Sequence, residues 1–273
     1  MQSKFLLFSA LSSLLFSCQS IIEGPVLPER IAPKSLTFHL DQASYWKADS
    51  INNTAHSELL YAVNRTDSAH FAKMDTIIVP DDLNGDLVFY LPFPLYVPYL
   101  KEVNKIVYFS YPTQSFATYE NGILSYTGPT SMGRQSTKTP TGLFYTNWKA
   151  KQTISTFDDE WELFWNFNIE NKEGIGWHQY GLPGYPASHS CLRLQEKDAK
   201  YLYSWADQWV MENKHVIKKK GTPVIVFGTY NFDAPKPWLK LVKNHESLKI
   251  SEIDIENQTK AYLKEILEEQ SKL

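Results

Sequence analysis

Three side chains able to do chemistry crowd into one short stretch, GIGWHQYGLPGYPASHSCLRL (174–194): His178, His189 and Cys191. A thiol attacks as the thiolate, and an ordinary Cys is mostly protonated at neutral pH, so a nucleophilic Cys needs a base or a positive neighbour. Imidazole suits that task because it titrates near the working pH. The expected pair is Cys191 as nucleophile and His178 as general base. The same residues invite comparison with zinc. His-x-Cys is a poor chelate, however, and no fourth ligand with Cys or His spacing stands nearby, so no metal site is expected. The bland alternative is a structural Cys beside two core histidines, and the clustering argues against it.

The run LPGYPAS, with its Pro and Gly punctuation, reads as a folded-back loop able to return Cys191 to His178. The surroundings read as strands: KIVYFSY, SFATYENGILSY, GLFYTNW, ELFWNFNI and PVIVFG, all between 105 and 228. Asn121-Gly122 between two such runs is a hairpin signal. Residues 198–210 (DAKYLYSWADQWV) carry apolar residues at helical spacing, as do Tyr262, Leu263, Ile266 and Leu267, which predict a C-terminal helical extension over 231–273 that docks or projects. The stretch SELLYAVNR (57–65) is helical, and DTIIVP (75–80) resembles the end of a LysM repeat, so 57–100 reads as a small LysM-like or α/β capping segment. Leu87 to Leu100, with three prolines, reads as an irregular connector or edge strand. The acidic run Asp158-Asp159-Glu160 with Glu162 reads as a solvated strand end rather than a glycosidase pair.

The chain has 273 residues, 43% hydrophobic, with a formal net charge of -3 and no basic block, which excludes a nucleic-acid footprint. Its 16 Tyr, 15 Phe and 8 Trp suit a β-rich core. Lys4 followed by the apolar run Phe5 to Phe16 has the pattern of a secretory signal and is too short for a stable span. Leu15-Phe16-Ser17-Cys18 resembles the bacterial lipobox, which implies a signal over 1–17, lipidation of Cys18 and a tether over 18–56 punctuated by Pro25, Pro28 and Pro33. Only two cysteines are present; with Cys18 lipidated, Cys191 has no disulfide partner and is expected to have a task or deep burial.

Ser188-His189-Ser190-Cys191-Leu192-Arg193-Leu194 resembles the signature of the L,D-transpeptidase (YkuD-like) catalytic domain, and Thr139-Pro140-Thr141-Gly142-Leu143-Phe144 resembles a second element of that family. The resemblance covers about 103–230 and implies a mainly β, sandwich-like catalytic domain with a few helices and no cofactor. It further implies that Cys191 attacks a peptidoglycan stem peptide, releases the terminal D-Ala and holds a thioester that an amine resolves. His178 would be the base, and His189 would shape the pocket. Ser188 and Ser190 would lie in the substrate and oxyanion loop, with backbone N–H groups around Ser190 and Cys191 facing the developing oxyanion. Arg193 suits a substrate carboxylate or a structural salt bridge equally. Ser190 stands where the family has Gly, and Gln179 leaves a backbone carbonyl to orient the base. The implied setting is export with a lipid anchor, at the outer membrane facing the periplasm in a Gram-negative cell. A stem amine, a D-amino acid, a wall-linked protein or water remain open as acceptors, beside a non-catalytic wall-binding lipoprotein.

Overall fold

The computed structural model describes residues 25–46, 53–155 and 162–272. Cys18, the signal segment and the acids 158–160 lie outside them. The protein is mainly β. One five-stranded sheet has the spatial order β5-β4-β3-β13-β6, from β3 (Ile106–Ser110), β4 (Ser115–Glu120), β5 (Ile123–Pro129), β6 (Gly142–Tyr145) and β13 (Pro223–Phe227). A four-stranded sheet has the order β10-β9-β8-β7, from β7 (Lys149–Ile154), β8 (Glu162–Glu170), β9 (Ile175–Gln179) and β10 (Leu192–Leu194).

The two sheets close on one core. Val107, Phe109, Phe116, Val224 and Val226 come from the five-stranded sheet, and Phe167, Ile169, Trp177, Leu192 and Leu194 from the other. Helix α3 (Glu196–Trp205) adds Ala199 and Leu202. Side chains alternate across a strand, so Ile106, Tyr108, Ile225 and Phe227 face the other way, where the C-terminal helices α4 (Glu252–Thr259) and α5 (Leu263–Gln270) cover them with Ile255 and Ile266. Tyr108 and Thr259 share a hydrogen bond of 2.6 Å across that contact. Burial on both faces explains why KIVYFSY and PVIVFG read as unbroken apolar runs rather than alternating ones. The C-terminal extension therefore docks. Asn121 (φ 48°) and Gly122 (φ 80°) form the expected two-residue turn between β4 and β5.

The N-terminal part differs from a tether over 18–56. Phe38–Gln42 forms β1, paired antiparallel with β2 (Thr76–Pro80), and α1 (Thr54–Val63) is already under way before residue 57. With the single turn α2 (Ser68–Phe71) they bury Leu60, Phe71, Ile77 and Val79 together. This α/β unit holds the main domain at the turn after α1. Thr66 Oγ1 donates to the Leu182 carbonyl (2.9 Å), Leu182 N–H donates to Asp67 (2.6 Å), and Gln195 donates to the Thr66 carbonyl (2.8 Å). The connector 87–100 forms 3-10 turns at Leu87–Phe89 and Pro98–Leu100 instead of an edge strand. The helix expected to reach 210 stops at Trp205; Trp209 N–H donates to the Asn147 carbonyl, and Val210–Asn213 forms β11, paired with β12 (Val216–Lys219).

Candidate active site

The site is built by a parallel strand pair. In β9 and β10, Leu192 lies beside Trp177, Arg193 beside His178 and Leu194 beside Gln179. Trp177, Leu192 and Leu194 turn into the core, so the alternate positions His178 and Arg193 turn to the opposite face. Cys191, one residue before β10, shares that face. His178, His189, Cys191, Arg193 and Ser188 accordingly border one pocket, together with Trp148, Asn166, Asn168, Glu173 and Tyr180. The folded-back loop does bring the thiol to the imidazole's pocket. The second group of residues, from β7, β8 and the turn before β9, carried no sequence signal of its own.

His178 is buried, and its Nδ1 lies 3.0 Å from the Gln179 carbonyl oxygen. That contact places the ring proton on Nδ1 and leaves Nε2 with its lone pair free to accept a proton. Burial pushes the imidazole pKa down to about 4, the Arg193 charge adds to this, and the Gln179 carbonyl opposes it. Burial also pushes the partly exposed Cys191 thiol up, against a backbone hydrogen bond from Gly176 and the Arg193 charge, and Sγ lies 3.8 Å from the Gly174 carbonyl oxygen. Both shifts favour a neutral thiol beside a neutral imidazole over a resting ion pair. Iodoacetamide alkylation of Cys191, followed by intact mass, should therefore be slow at neutral pH and keep climbing above the ordinary thiol range. A rate already level at pH 7 would mean a preformed thiolate.

The loop before the thiol is held from several sides. Ser188 Oγ donates to the Cys191 carbonyl (2.5 Å), and Ser188 N–H donates to the Met132 carbonyl (3.0 Å). Thr139 Oγ1 accepts from Gly133 N–H (2.9 Å) and donates to the Ser190 carbonyl (2.8 Å). A Cβ on Gly133 would stand 2.2 Å from the Thr137 carbonyl oxygen, so only Gly permits this approach. In a trans peptide C=O and N–H point in opposite directions. Thr139, by fixing the Ser190 carbonyl, thus fixes where the Cys191 N–H points. Among the described residues the N–H groups of Ser190 and Cys191 donate to no protein acceptor, which leaves both available to a developing oxyanion. Thr139 belongs to the quoted Thr-Pro element, but its link to residue 190 is a tertiary fact that spacing does not reveal. If the Cys191 N–H serves a developing oxyanion, Thr139→Val should lower kcat with little change in KM, as judged by steady-state kinetics, because it loosens that donor.

Ser190 has φ 85°, in the left-handed region where Gly is usual. A side chain there costs about 1–2 kcal/mol, and Gly would return about 0.4–1 kcal/mol of that as unfolded-state entropy. Ser190→Gly should therefore raise unfolding stability by a fraction of a kcal/mol to about 1 kcal/mol with activity retained; denaturant titration of both proteins checks it. Arg193 has no carboxylate partner among the described residues. Its guanidinium lies 4.4 Å from the Tyr180 ring centroid, so a cation–π contact stands where a salt bridge was one expectation. Its carbonyl accepts from Thr130 Oγ1 (2.8 Å). Among the described residues no group of three or more His, Cys, Asp or Glu is placed to hold a metal ion.

A partly exposed thiol and a buried imidazole border one pocket, with the unused Cys191 N–H beside the thiol, and these are groups a cysteine nucleophile requires; Ser190 itself is not among the residues bordering that pocket. Residues 104–226 match the family model of YkuD, the L,D-transpeptidase catalytic domain, so the resemblance read from the sequence is borne out over that segment. Among solved structures the chain is similar to an L,D-transpeptidase (Yku) from Stackebrandtia nassauensis, at 22% identity and a TM-score of 0.38, over 46% of this chain and 57% of that one. It is also similar to an L,D-transpeptidase from Mycobacterium tuberculosis H37Rv (21% identity, TM-score 0.37, 46% and 58% covered) and to one from Mycobacterium smegmatis (19%, 0.36, 46% and 59%). The chain thus spans somewhat over half the length of these structures. No curated protein matches it.

Proposed function

We propose that this protein is an L,D-transpeptidase acting on peptidoglycan stem peptides. The observation that carries the reading is the shared pocket face of Cys191 and His178 on adjoining parallel strands, within a segment that matches the catalytic-domain family. As substrate enters, His178 Nε2 takes the thiol proton. Sγ attacks the carbonyl carbon of the third stem residue, and the oxygen takes up charge opposite the Ser190 and Cys191 N–H groups. The tetrahedral centre collapses, the C–N bond to the terminal D-Ala breaks, and the departing amine takes the proton from His178. A thioester remains. An acceptor amine then attacks it, gives its proton to His178 and expels the thiolate, which is reprotonated. A second stem's amine as acceptor yields a 3→3 cross-link, and a free D-amino acid yields an exchanged stem.

His189 shapes the wall of the pocket, and Arg193, stacked on Tyr180, offers its charge to a stem carboxylate. In the setting this reading requires, residues 1–17 are a signal segment, Cys18 carries lipid, and the catalytic domain faces the periplasm from the outer membrane. The experiment is incubation of the protein with disaccharide tetrapeptide and mass spectrometry of the products. Dimers or exchanged stems support transpeptidation. Bare tripeptide alone would make the protein a hydrolase of the same chemistry, and absence of any Cys191 thioester would defeat the catalytic reading.

A further inference from the structure

Arg65 ends α1 in an unusual way. Thr66 N–H donates to the Tyr61 carbonyl (2.9 Å) and Arg65 N–H to the Ala62 carbonyl (3.1 Å), the paired closure of a Schellman turn. The residue at the left-handed position of that turn is usually Gly; here it is Arg65, with φ 58°. Strain of this kind persists where the side chain is used. Arg65 as a whole is 1% exposed. Nε donates to the Thr113 carbonyl (2.6 Å), and Nη1 donates to the Ala62 (2.7 Å) and Val63 (3.0 Å) carbonyls. The Trp238 ring centroid lies 5.6 Å from Cζ. These contacts tie the α/β unit to the main domain and occupy three of the five N–H groups. Among the described residues nothing accepts from Nη2, and no carboxylate pairs with Arg65. A buried, unpaired charge is costly, and burial with no opposing acid pushes this guanidinium down to about 9.

Arg65 borders a cavity of about 300 Å³ whose other walls include Leu36, Val88, Phe89, Phe93 and Leu241. Glu246 stands at its edge, but its carboxylate is engaged by Lys249 (2.6 Å) and His245 (3.3 Å). None of the residues bordering this cavity borders the thiol pocket. We propose that the cavity binds a small amphipathic carboxylate, an acyl or aryl carboxylic acid, with its carboxylate on Arg65 Nη2 and its apolar body along the Phe89 and Phe93 wall. A structural role accounts for Nε and Nη1 and leaves Nη2 without a protein acceptor among the described residues, on a residue that borders the cavity. One buried cation matches a monoanion, since Lys249 and His245 in the same lining are already engaged by Glu246.

The test uses octanoate and octanamide, which differ in charge and hardly in shape, titrated calorimetrically into the purified chain with Cys191 alkylated. Alkylation removes the thiol pocket as a competing site, so the outcome is separate from that of the transpeptidase reading. Octanoate should bind saturably at one per chain, and octanamide at least about tenfold more weakly, the worth of one hydrogen-bonded charge. Val88→Trp, which fills the apolar wall and leaves Arg65 in place, should abolish octanoate binding. Equal affinity for the two probes, no binding of either at millimolar concentration, or unchanged binding in Val88→Trp would each overturn the proposal. Should that variant fail to fold, the comparison of probes on the unaltered chain still decides.

Discussion

Replacing Cys191 with Ala is expected to abolish product formation and every covalent adduct while leaving the fold intact. In the proposed mechanism Sγ forms and breaks the acyl bond, so no neighbour can substitute for it. The structural cost is small. Cys191 is partly exposed, and its sulfur has only a long contact with the Gly174 carbonyl and a backbone hydrogen bond from Gly176. Loss of a half-buried thiol costs about 1 kcal/mol or less. Its carbonyl, which holds Ser188, survives the change. Incubation with a carbapenem, an acylating probe suggested by the family resemblance, followed by intact mass, should give one adduct on the unaltered protein and none on Cys191→Ala. An undiminished adduct on the variant would place the nucleophile elsewhere.

His178→Ala should lower turnover by about 10²–10⁴-fold, the usual worth of a positioned base. The sequel follows from the thiol's own position: burial already pushes Cys191 up, so without the imidazole little thiolate exists at pH 7. The residual rate of the variant should climb with pH well past neutrality as hydroxide takes over the base's task. A loss of comparable size that stays flat with pH would mean that His178 serves structure rather than proton transfer. Stability supplies an independent reading. The folded-state pKa near 4 lies below the ordinary 6.5, so the unfolded chain binds the extra proton first. This contribution is intact above pH 6.5 and is lost as pH falls toward 4, by roughly 3 kcal/mol over the whole interval. His178→Gln should remove that component, so its unfolding free energy should fall less between pH 6.5 and 4, by denaturant titration at both ends.

Much of this was legible in the residues. The central strands β3 and β13 of the five-stranded sheet are buried on both faces and announce themselves as apolar runs, and Asn121-Gly122 marks the turn between β4 and β5. The Cys and His types pointed to the chemistry. The strands that carry that chemistry did not announce themselves. β10 has three residues, too few for a period, and β9 mixes Gly, Trp, His and Gln because one face serves the core and the other the pocket. Parallel pairing across an irregular loop also leaves no local mark, since such pairs are usually joined by a helix. β1 escaped notice for a related reason: its partner lies near residue 78, and exposed His39 and Leu40 give it no clean alternation. The role of Thr139 and the unpaired edge of Arg65 depend on contacts between distant segments, so residue type alone could not disclose them.

The shared strands β9 and β10 have a consequence for how this protein tolerates change. A slip of β10 by one residue along β9 would turn Cys191 and Arg193 inward and put Leu192 and Leu194 in water, while pairing with β8 keeps His178 and Trp177 in place. Folding and reactivity would fail in the same event. Substitutions at Leu192 or Leu194 that loosen this packing are then expected to disturb the placement of the thiol as well as the core. Variation has freer play in the strand ends and turns that wall the pocket from β7 and β8, and that is where a lineage could alter what the thiol accepts without disturbing the thiol itself.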